Sequence, residues 1–150
     1  MTGSTPSAWN DPVRGAELTR SQIERGADVI FQAAGATGIG VLQAAADAGK
    51  YGIGVDSNQN RLHPGHVLTS MFKELDVAVS KTLSAAKDGS WKPGTTVLGI
   101  AEGGVDLAFD DDNAPAVTSA MRGRVDQAKA DIVSGKLKIH DYMTDNSCPD

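Results

Sequence analysis

A strand, a glycine-rich turn and a helix in immediate succession are the feature that most constrains this chain. Residues 28–33 form a short apolar run, and Gly35, Gly38 and Gly40 then lead into an alanine-rich segment. Such a turn exposes backbone N–H groups to a ligand, because no side chain stands in the way. The turn lacks the lysine of a P-loop, so we expect a binding site there but no cradle for several phosphates.

Strand and helix alternate along the rest of the chain, which favours an α/β fold with right-handed crossovers. The predicted strands are residues 28–33, 51–56, 66–71, 95–100, 105–109 and a short one near 137–139, and the predicted helices are 11–26, 37–48, 73–88 and 114–134. We expect a Rossmann-like or flavodoxin-like parallel sheet with helices on both faces. The apolar run at 28–33 suits a strand covered on both sides, and 105–109 suits a hairpin partner of 95–100.

Four residues lie near strand ends that precede helices, where ligands bind in such sheets. They are Trp9, Gly35, Asp56 and Lys73. We expect them to line one rim. Lys73 is predicted in the first turn of a helix, where a cation opposes the helix dipole, and this mild penalty favours a functional role.

Each candidate also has a purely structural interpretation. Trp9 would be an ordinary aromatic at the surface or core edge, Asp56 a cap or turn residue, and Lys73 a solvated lysine. The glycines at 35–40 would only allow a helix to pack closely on a strand. No metal or cofactor site is predicted, because the three histidines lack ligand spacing and the acidic run at 110–112 lacks the spacing of a calcium loop.

Composition narrows the possible partners. The chain has 150 residues, 40% hydrophobic content and a net charge of −5, which suits one soluble domain or lobe and argues against nucleic acid as its main partner. The first residues lack the pattern of a signal peptide, and no apolar run approaches a membrane span of about 20 residues. We therefore expect either a cytoplasmic protein or a piece of a longer chain.

The motifs, taken together, resemble the basic membrane protein family of bacterial substrate-binding lipoproteins, the purine-nucleoside receptors of ABC transporters. They are Ala-Trp-Asn-Asp-Pro at 8–12, Gly-Ala-Asp-Val-Ile-Phe-Gln-Ala-Ala-Gly at 26–35, Gly-Val-Asp-Ser-Asn-Gln at 54–59, Val-Leu-Thr-Ser-Met-Phe-Lys at 67–73 with Asp-Val-Ala-Val at 76–79, and Gly-Gly-Val-Asp-Leu-Ala-Phe at 103–109. The chain departs from the usual pattern at Trp9, where Phe is often found, and at Asn58, where Asp is common.

The resemblance implies the C-terminal lobe of a type I periplasmic binding protein over residues 1–138, including a returning segment, and a flexible tail over 139–150. The first lobe, signal peptide and lipid anchor of a periplasmic or cell-surface parent would be absent. The implied partners are a purine nucleoside, the missing N-terminal lobe and an ABC permease. By position, Trp9 would stack on the base, Gly35 would offer backbone, Asp56 would accept from ribose hydroxyls and Lys73 would donate to the sugar.

Two other functions remain open at this point. One is a small cytoplasmic flavodoxin-like enzyme of nucleotide or sugar metabolism, for which Asp56 and Lys73 are the only plausible acid–base pair. The other is the ligand-sensing domain of a regulator, although no helix-turn-helix or basic segment supports it. The leading hypothesis is a binding lobe without enzymatic activity.

Overall fold

The computed structural model describes residues 6–147 and divides into two compact units, one ending at Thr118 and one starting at Ser119. The first unit contains the sheet, and the described part of the second contains two helices. The helices are α1 (Pro12–Glu24), α2 (Thr37–Asp47), α3 (Leu75–Asp88), α4 (Ser119–Val133) and α5 (Tyr142–Asp145), and the strands are β1 (Val29–Phe31), β2 (Tyr51–Asp56), β3 (Val67–Lys73) and β4 (Val105–Leu107). Short 3-10 turns occupy Pro6–Trp9 and Asn60–Leu62.

The strands form one sheet in the order β1-β2-β3-β4. The first three are parallel, and β4 runs antiparallel to β3. This mostly parallel sheet flanked by helices confirms the predicted α/β class. Because β1, β2 and β3 point the same way, their carboxyl ends meet at one edge of the sheet, which is where the candidate residues lie.

Helices α1 and α2 pack against each other through glycines. A Cβ on Gly40 would overlap the carbonyl of Pro12, and a Cβ on Gly15 would crowd the carbonyl of Thr37. Only glycine allows backbones to approach this closely. The small core beneath them is formed by the buried side chains of Ile30, Val41 and Ala45, with Ile23 alongside.

The two faces of β1 differ. Ile30 is buried against the helices, whereas Val29 and Phe31 are 41% and 60% exposed. The expectation that this strand is covered on both faces is therefore wrong for β1. Its apolar run reflects burial on one side only.

The predicted strand at 95–100 is absent, and so is the hairpin with 105–109. The backbone N–H of Gly99 donates to the Glu102 carboxylate at 2.9 Å, and that of Gly104 donates to the Gly99 carbonyl at 2.8 Å. These bonds close a turn immediately before β4. Since β4 then pairs with β3, its hydrogen-bonding partner lies more than 30 residues away in sequence, beyond the reach of a local pattern.

The longest helix starts at Ser119, later than the predicted position 114. The buried Asn113 side-chain amide donates to the carbonyls of Leu68 and Ala108 at 2.8 and 2.9 Å. The backbone carbonyl of Asn113 accepts from the backbone N–H of Val117 at 3.1 Å. These bonds hold the segment after Asn113 in turns.

The predicted strand near 137–139 is also wrong, since residues 137–139 form no regular element. The flexible tail over 139–150 stays a prediction. It contains α5, and residues 148–150, like 1–5 at the other end, lie outside the described residues.

Candidate functional site

Trp9 is held at the end of the first 3-10 turn by contacts on both sides. The hydroxyl of Thr37 donates to the Ala8 carbonyl and accepts from the Asp11 N–H, both at 2.8 Å. The Asp11 carboxylate then accepts from the backbone N–H of Arg14 and caps α1. Trp9 itself is 49% exposed, so its indole is fixed at its base but open to solvent.

Gly35 lies directly against Trp9. Its φ of +57° is the left-handed region that glycine adopts most easily. A Cβ at this position would stand 3.1 Å from the Trp9 carbonyl oxygen and 3.7 Å from the indole Cε3 atom. The structure therefore brings two of the four predicted residues into contact, at the carboxyl end of β1.

Asp56 and Lys73 form the second contact. The Lys73 Nζ atom lies 2.6 Å from an Asp56 carboxylate oxygen, and both side chains are about half exposed. Asp56 is the last residue of β2 and Lys73 the last residue of β3. In the sheet, Asp56 is paired with Phe72, the residue before Lys73. The prediction that Lys73 opens a helix is therefore wrong, and the helix-dipole argument for it no longer applies.

The two contacts lie at the carboxyl ends of adjacent parallel strands, as the rim hypothesis expects. A chain of hydrogen bonds through Gln32 and Gln59 connects the segment that carries Gly35 with the segment that carries Asp56. Neither glutamine was among the site residues predicted from the sequence. The sequence held one indication of this contact, because Gln32 follows an apolar strand and a buried side-chain amide needs hydrogen-bonding partners.

The acidic turn at 110–112 is more than a solvated loop. The Asp110 carboxylate accepts from the side-chain amides of Asn58 at 2.7 Å and Asn60 at 3.1 Å. The hydrogen bond from Asn58, helped by that from Asn60 and despite partial desolvation, lowers the pKa of Asp110 below its ordinary value. The side-chain amide of Asn58 can donate this bond, whereas an ionised carboxylate at the same position could not.

Neither metal chemistry nor a membrane span is indicated by the part of the chain that the structure describes. Within residues 6–147, no group of three or more His, Cys, Asp or Glu side chains is placed so that it could hold a metal ion. No helix within them has the length and apolar character needed to cross a bilayer.

Comparison with known proteins identifies similar sequences and folds. The model of the family described as ABC transporter substrate-binding protein PnrA-like matches residues 4–142. The chain is 31% identical to "ABC transporter nucleoside-binding protein BmpA" of Lactococcus lactis, covering 88% of this chain and 41% of that one. It is 33% identical to "Basic membrane protein D" of Borreliella burgdorferi, covering 83% of this chain and 38% of that one.

Solved structures agree on the fold. An ABC transporter solute-binding protein from Aeropyrum pernix matches with a TM-score of 0.74 at 22% identity, covering 88% of this chain and 45% of that one. A structure from Bacillus halodurans titled as a transcriptional activator of the comK gene matches with a TM-score of 0.79 at 21% identity, covering 89% and 46%.

The chain spans about two fifths of the length of these two curated relatives. The resemblance seen in the motifs is confirmed by the family match over residues 4–142. The chain belongs to the PnrA-like family of ABC transporter substrate-binding proteins.

Proposed function

We propose that this chain is one lobe of an ABC-transporter receptor for purine nucleosides, with the base on Trp9 and the ribose at Asp56 and Lys73. One observation carries the proposal: an exposed indole against a glycine and an exposed carboxylate–ammonium pair occupy the carboxyl ends of neighbouring parallel strands. The family consists of ABC transporter substrate-binding proteins, which argues against the enzyme alternative.

The Trp9 and Gly35 contact suits an aromatic base. Trp9 is about half exposed, and the Thr37 hydroxyl holds the loop that carries it, so little ordering is needed on binding. Stacking of a base on an aromatic side chain contributes about 1–3 kcal/mol. Without a Cβ, Gly35 leaves its backbone open to a flat ligand.

The Asp56 and Lys73 pair suits the sugar. A carboxylate can accept from both hydroxyls of a cis-diol in charge-assisted hydrogen bonds. Lys73 holds that carboxylate from one side and has further N–H groups for a sugar oxygen. Because the pair has no net charge, it suits a neutral nucleoside better than a nucleotide.

The remaining partners follow from the relatives. The chain matches about two fifths of each, so we infer that a longer parent supplies the other lobe and an interlobe cleft, and that it delivers ligand to a permease. Similar proteins of Pyrococcus are named lipoproteins, which supports a location outside the cytoplasm for such a parent. The name of the Lactococcus relative supports nucleosides as the ligand class.

Nuclear magnetic resonance titration of the isolated chain with inosine tests the proposal. With one lobe's contacts only, we expect a dissociation constant near a millimolar, which corresponds to about 4 kcal/mol of binding free energy. Shifts should concentrate at Trp9, Gly35, Asp56 and Lys73. Trp9→Ala should weaken binding by about fivefold or more, because the stacking surface is lost.

Trp91→Ala is the matched control, since Trp91 is similarly exposed but lies outside the proposed site. It should leave the inosine affinity unchanged. Sub-micromolar affinity would contradict the view that this lobe supplies only half of the contacts. Resonance shifts outside the four proposed contact residues, or no shifts at tens of millimolar inosine, would show that the proposed site is wrong.

A further inference from the structure

Two glutamines connect the backbone on either side of the proposed site. Gln32 follows β1 and is only 3% exposed. Its Oε1 atom accepts from the Ala34 N–H at 3.1 Å, and its Nε2 atom donates to Oε1 of Gln59 at 3.0 Å. That same oxygen of Gln59 accepts from the Val55 N–H at 3.0 Å. We call this Gln32–Gln59 hydrogen bond, with its two backbone bonds, the glutamine link.

The orientation of both amides is determined by chemistry. Backbone N–H groups can only donate, so the groups facing Ala34 and Val55 must be oxygens. The Nε2 atom of Gln32 is then the group that faces Gln59. The link therefore has one possible arrangement, with every contact between a donor and an acceptor.

Two glycines leave the space that the amides occupy. A Cβ on Gly38 would overlap the Gln32 amide, and a Cβ on Gly54 would lie 2.8 Å from Oε1 of Gln59. Gly38 is the second residue of α2, so the helix begins directly beside the Gln32 amide. A larger residue at position 38 would have to displace this amide.

Each end of the link stops one residue short of a proposed ligand contact. Ala34 precedes Gly35, which lies against Trp9, and Val55 precedes Asp56. We propose that Gln32 and Gln59 are positioning residues, which set the separation between the stacking surface and the Asp56 carboxylate. This inference rests on the proposed function, because it takes Trp9 and Asp56 as the ligand contacts.

The proposal distinguishes a whole nucleoside from its base. A nucleoside uses both contacts at once, so its affinity depends on their separation. Hypoxanthine, the base of inosine, reaches only the stacking surface and should be insensitive to that separation. If the glutamine link serves stability alone, its removal would change neither the inosine affinity nor the hypoxanthine affinity of the folded protein.

Gln32→Met and Gln59→Met test this, because methionine has a similar size but cannot form the link. Each should weaken inosine binding about threefold to tenfold, the effect of one lost hydrogen bond, and leave hypoxanthine binding within twofold of wild type. The double variant should bind inosine no worse than the weaker single variant, since both remove the same link. Binding is measured by nuclear magnetic resonance, on those variants that urea unfolding curves show to be folded without urea.

Two further variants sharpen the comparison. Gln59→Glu keeps the oxygen that accepts both bonds and should retain inosine affinity within about twofold. Gln43→Met removes an exposed glutamine that donates to Asp47 on α2, and should change neither ligand's affinity. If the methionine variants do not fold, the resonance of the Gln32 side-chain amide in the wild type tests the proposal instead. It should shift when inosine is added and should not shift when hypoxanthine is added.

The outcomes separate the two proposals. If the wild type binds inosine at the four residues but the folded methionine variants bind it equally well, the glutamine link is not a positioning device. Equal losses for inosine and hypoxanthine would also overturn the inference, because they indicate general damage. If the wild type does not bind inosine at those residues, the proposed function itself fails.

Discussion

Asp56 has a positive φ, a backbone conformation that is uncommon for residues other than glycine. Its φ is +69°, and the Ser57 N–H donates to the Val55 carbonyl at 2.8 Å across it. A bond between residues two apart, around a positive φ, is characteristic of the rare and strained γ-turn. Such strain is found where a side chain must be presented in one direction, often at binding sites. Here it turns a carboxylate outward at the end of β2.

This strain leads to a prediction for Asp56→Gly. Glycine adopts positive φ freely, and the ion pair that is lost is half exposed and contributes little. We expect the free energy of unfolding to stay equal or rise by about 1 kcal/mol in urea titrations. Inosine binding should weaken, while binding of 2′,3′-dideoxyinosine, which lacks the diol, should not change.

Asp56→Asn is the control for the charge alone, since asparagine also tolerates positive φ. It should keep the wild-type stability and lose part of the inosine affinity. If Asp56→Gly instead lowers the free energy of unfolding by more than about 1 kcal/mol, the carboxylate has a structural turn role. That result would support the alternative interpretation of Asp56.

The four candidate positions could be found from sequence because each follows a recognisable strand or turn pattern. The sequence already suggested Asp56 and Lys73 as a pair, but it did not show that β3 extends to Lys73, because that extension depends on pairing with the distant Val105. The Gln32 and Gln59 contact was also hidden, because their bond joins residues 27 apart. Local patterns locate residues, but contacts between segments require the fold.

At the scale of elements, the α1 and α2 pair is the part of the fold most constrained by packing. Gly40→Ala would drive a methyl group into the Pro12 carbonyl, and backbone cannot move aside as a flexible side chain can. Overpacking of this kind destabilises by about 1–3 kcal/mol. We expect a loss of that size in the free energy of unfolding, measured by urea titration with tryptophan fluorescence.

Gly123→Ala in α4 is the matched helical glycine, because nothing lies within 4 Å of its missing Cβ. Alanine there should raise helix stability by about 0.5–1 kcal/mol, followed by circular dichroism. Equal effects at the two positions would mean that helix propensity, and not the contact between α1 and α2, sets the response at Gly40.

Element prediction succeeded where local signals agree and failed where a distant segment decides. The Asp11 cap at the start of α1 and the left-handed Gly89 after α3 are local signals, and the predicted bounds at residues 11 and 88 agree with them. The apolar residues of 95–100 have the composition of a strand, yet Val97 is 83% exposed. Apolar composition permits a strand, but a paired edge is needed to form one.

For the whole molecule, the exposed edge at β1 is the feature with the largest consequence. β1 is the first strand in the sheet order, and its outward residues Val29 and Phe31 are exposed. A shallow hollow of about 370 Å³ lies beside it, lined by Gln22 and Arg25 among others. Edge strands with exposed apolar residues offer unpaired backbone groups to other chains. We therefore expect the isolated chain to associate with itself at this edge.

Phe31→Lys should suppress that association, because a lysine on an edge strand disfavours pairing with another chain. Phe31 is 60% exposed, so the free energy of unfolding should change by less than about 0.5 kcal/mol. Sedimentation velocity at several concentrations would show the wild type shifting to larger species and the variant remaining monomeric. Val97→Lys adds the same charge at an exposed apolar site outside the sheet, and should leave the association unchanged. A wild type that stays monomeric throughout, or equal suppression by both lysines, would mean that the edge at β1 is not the contact.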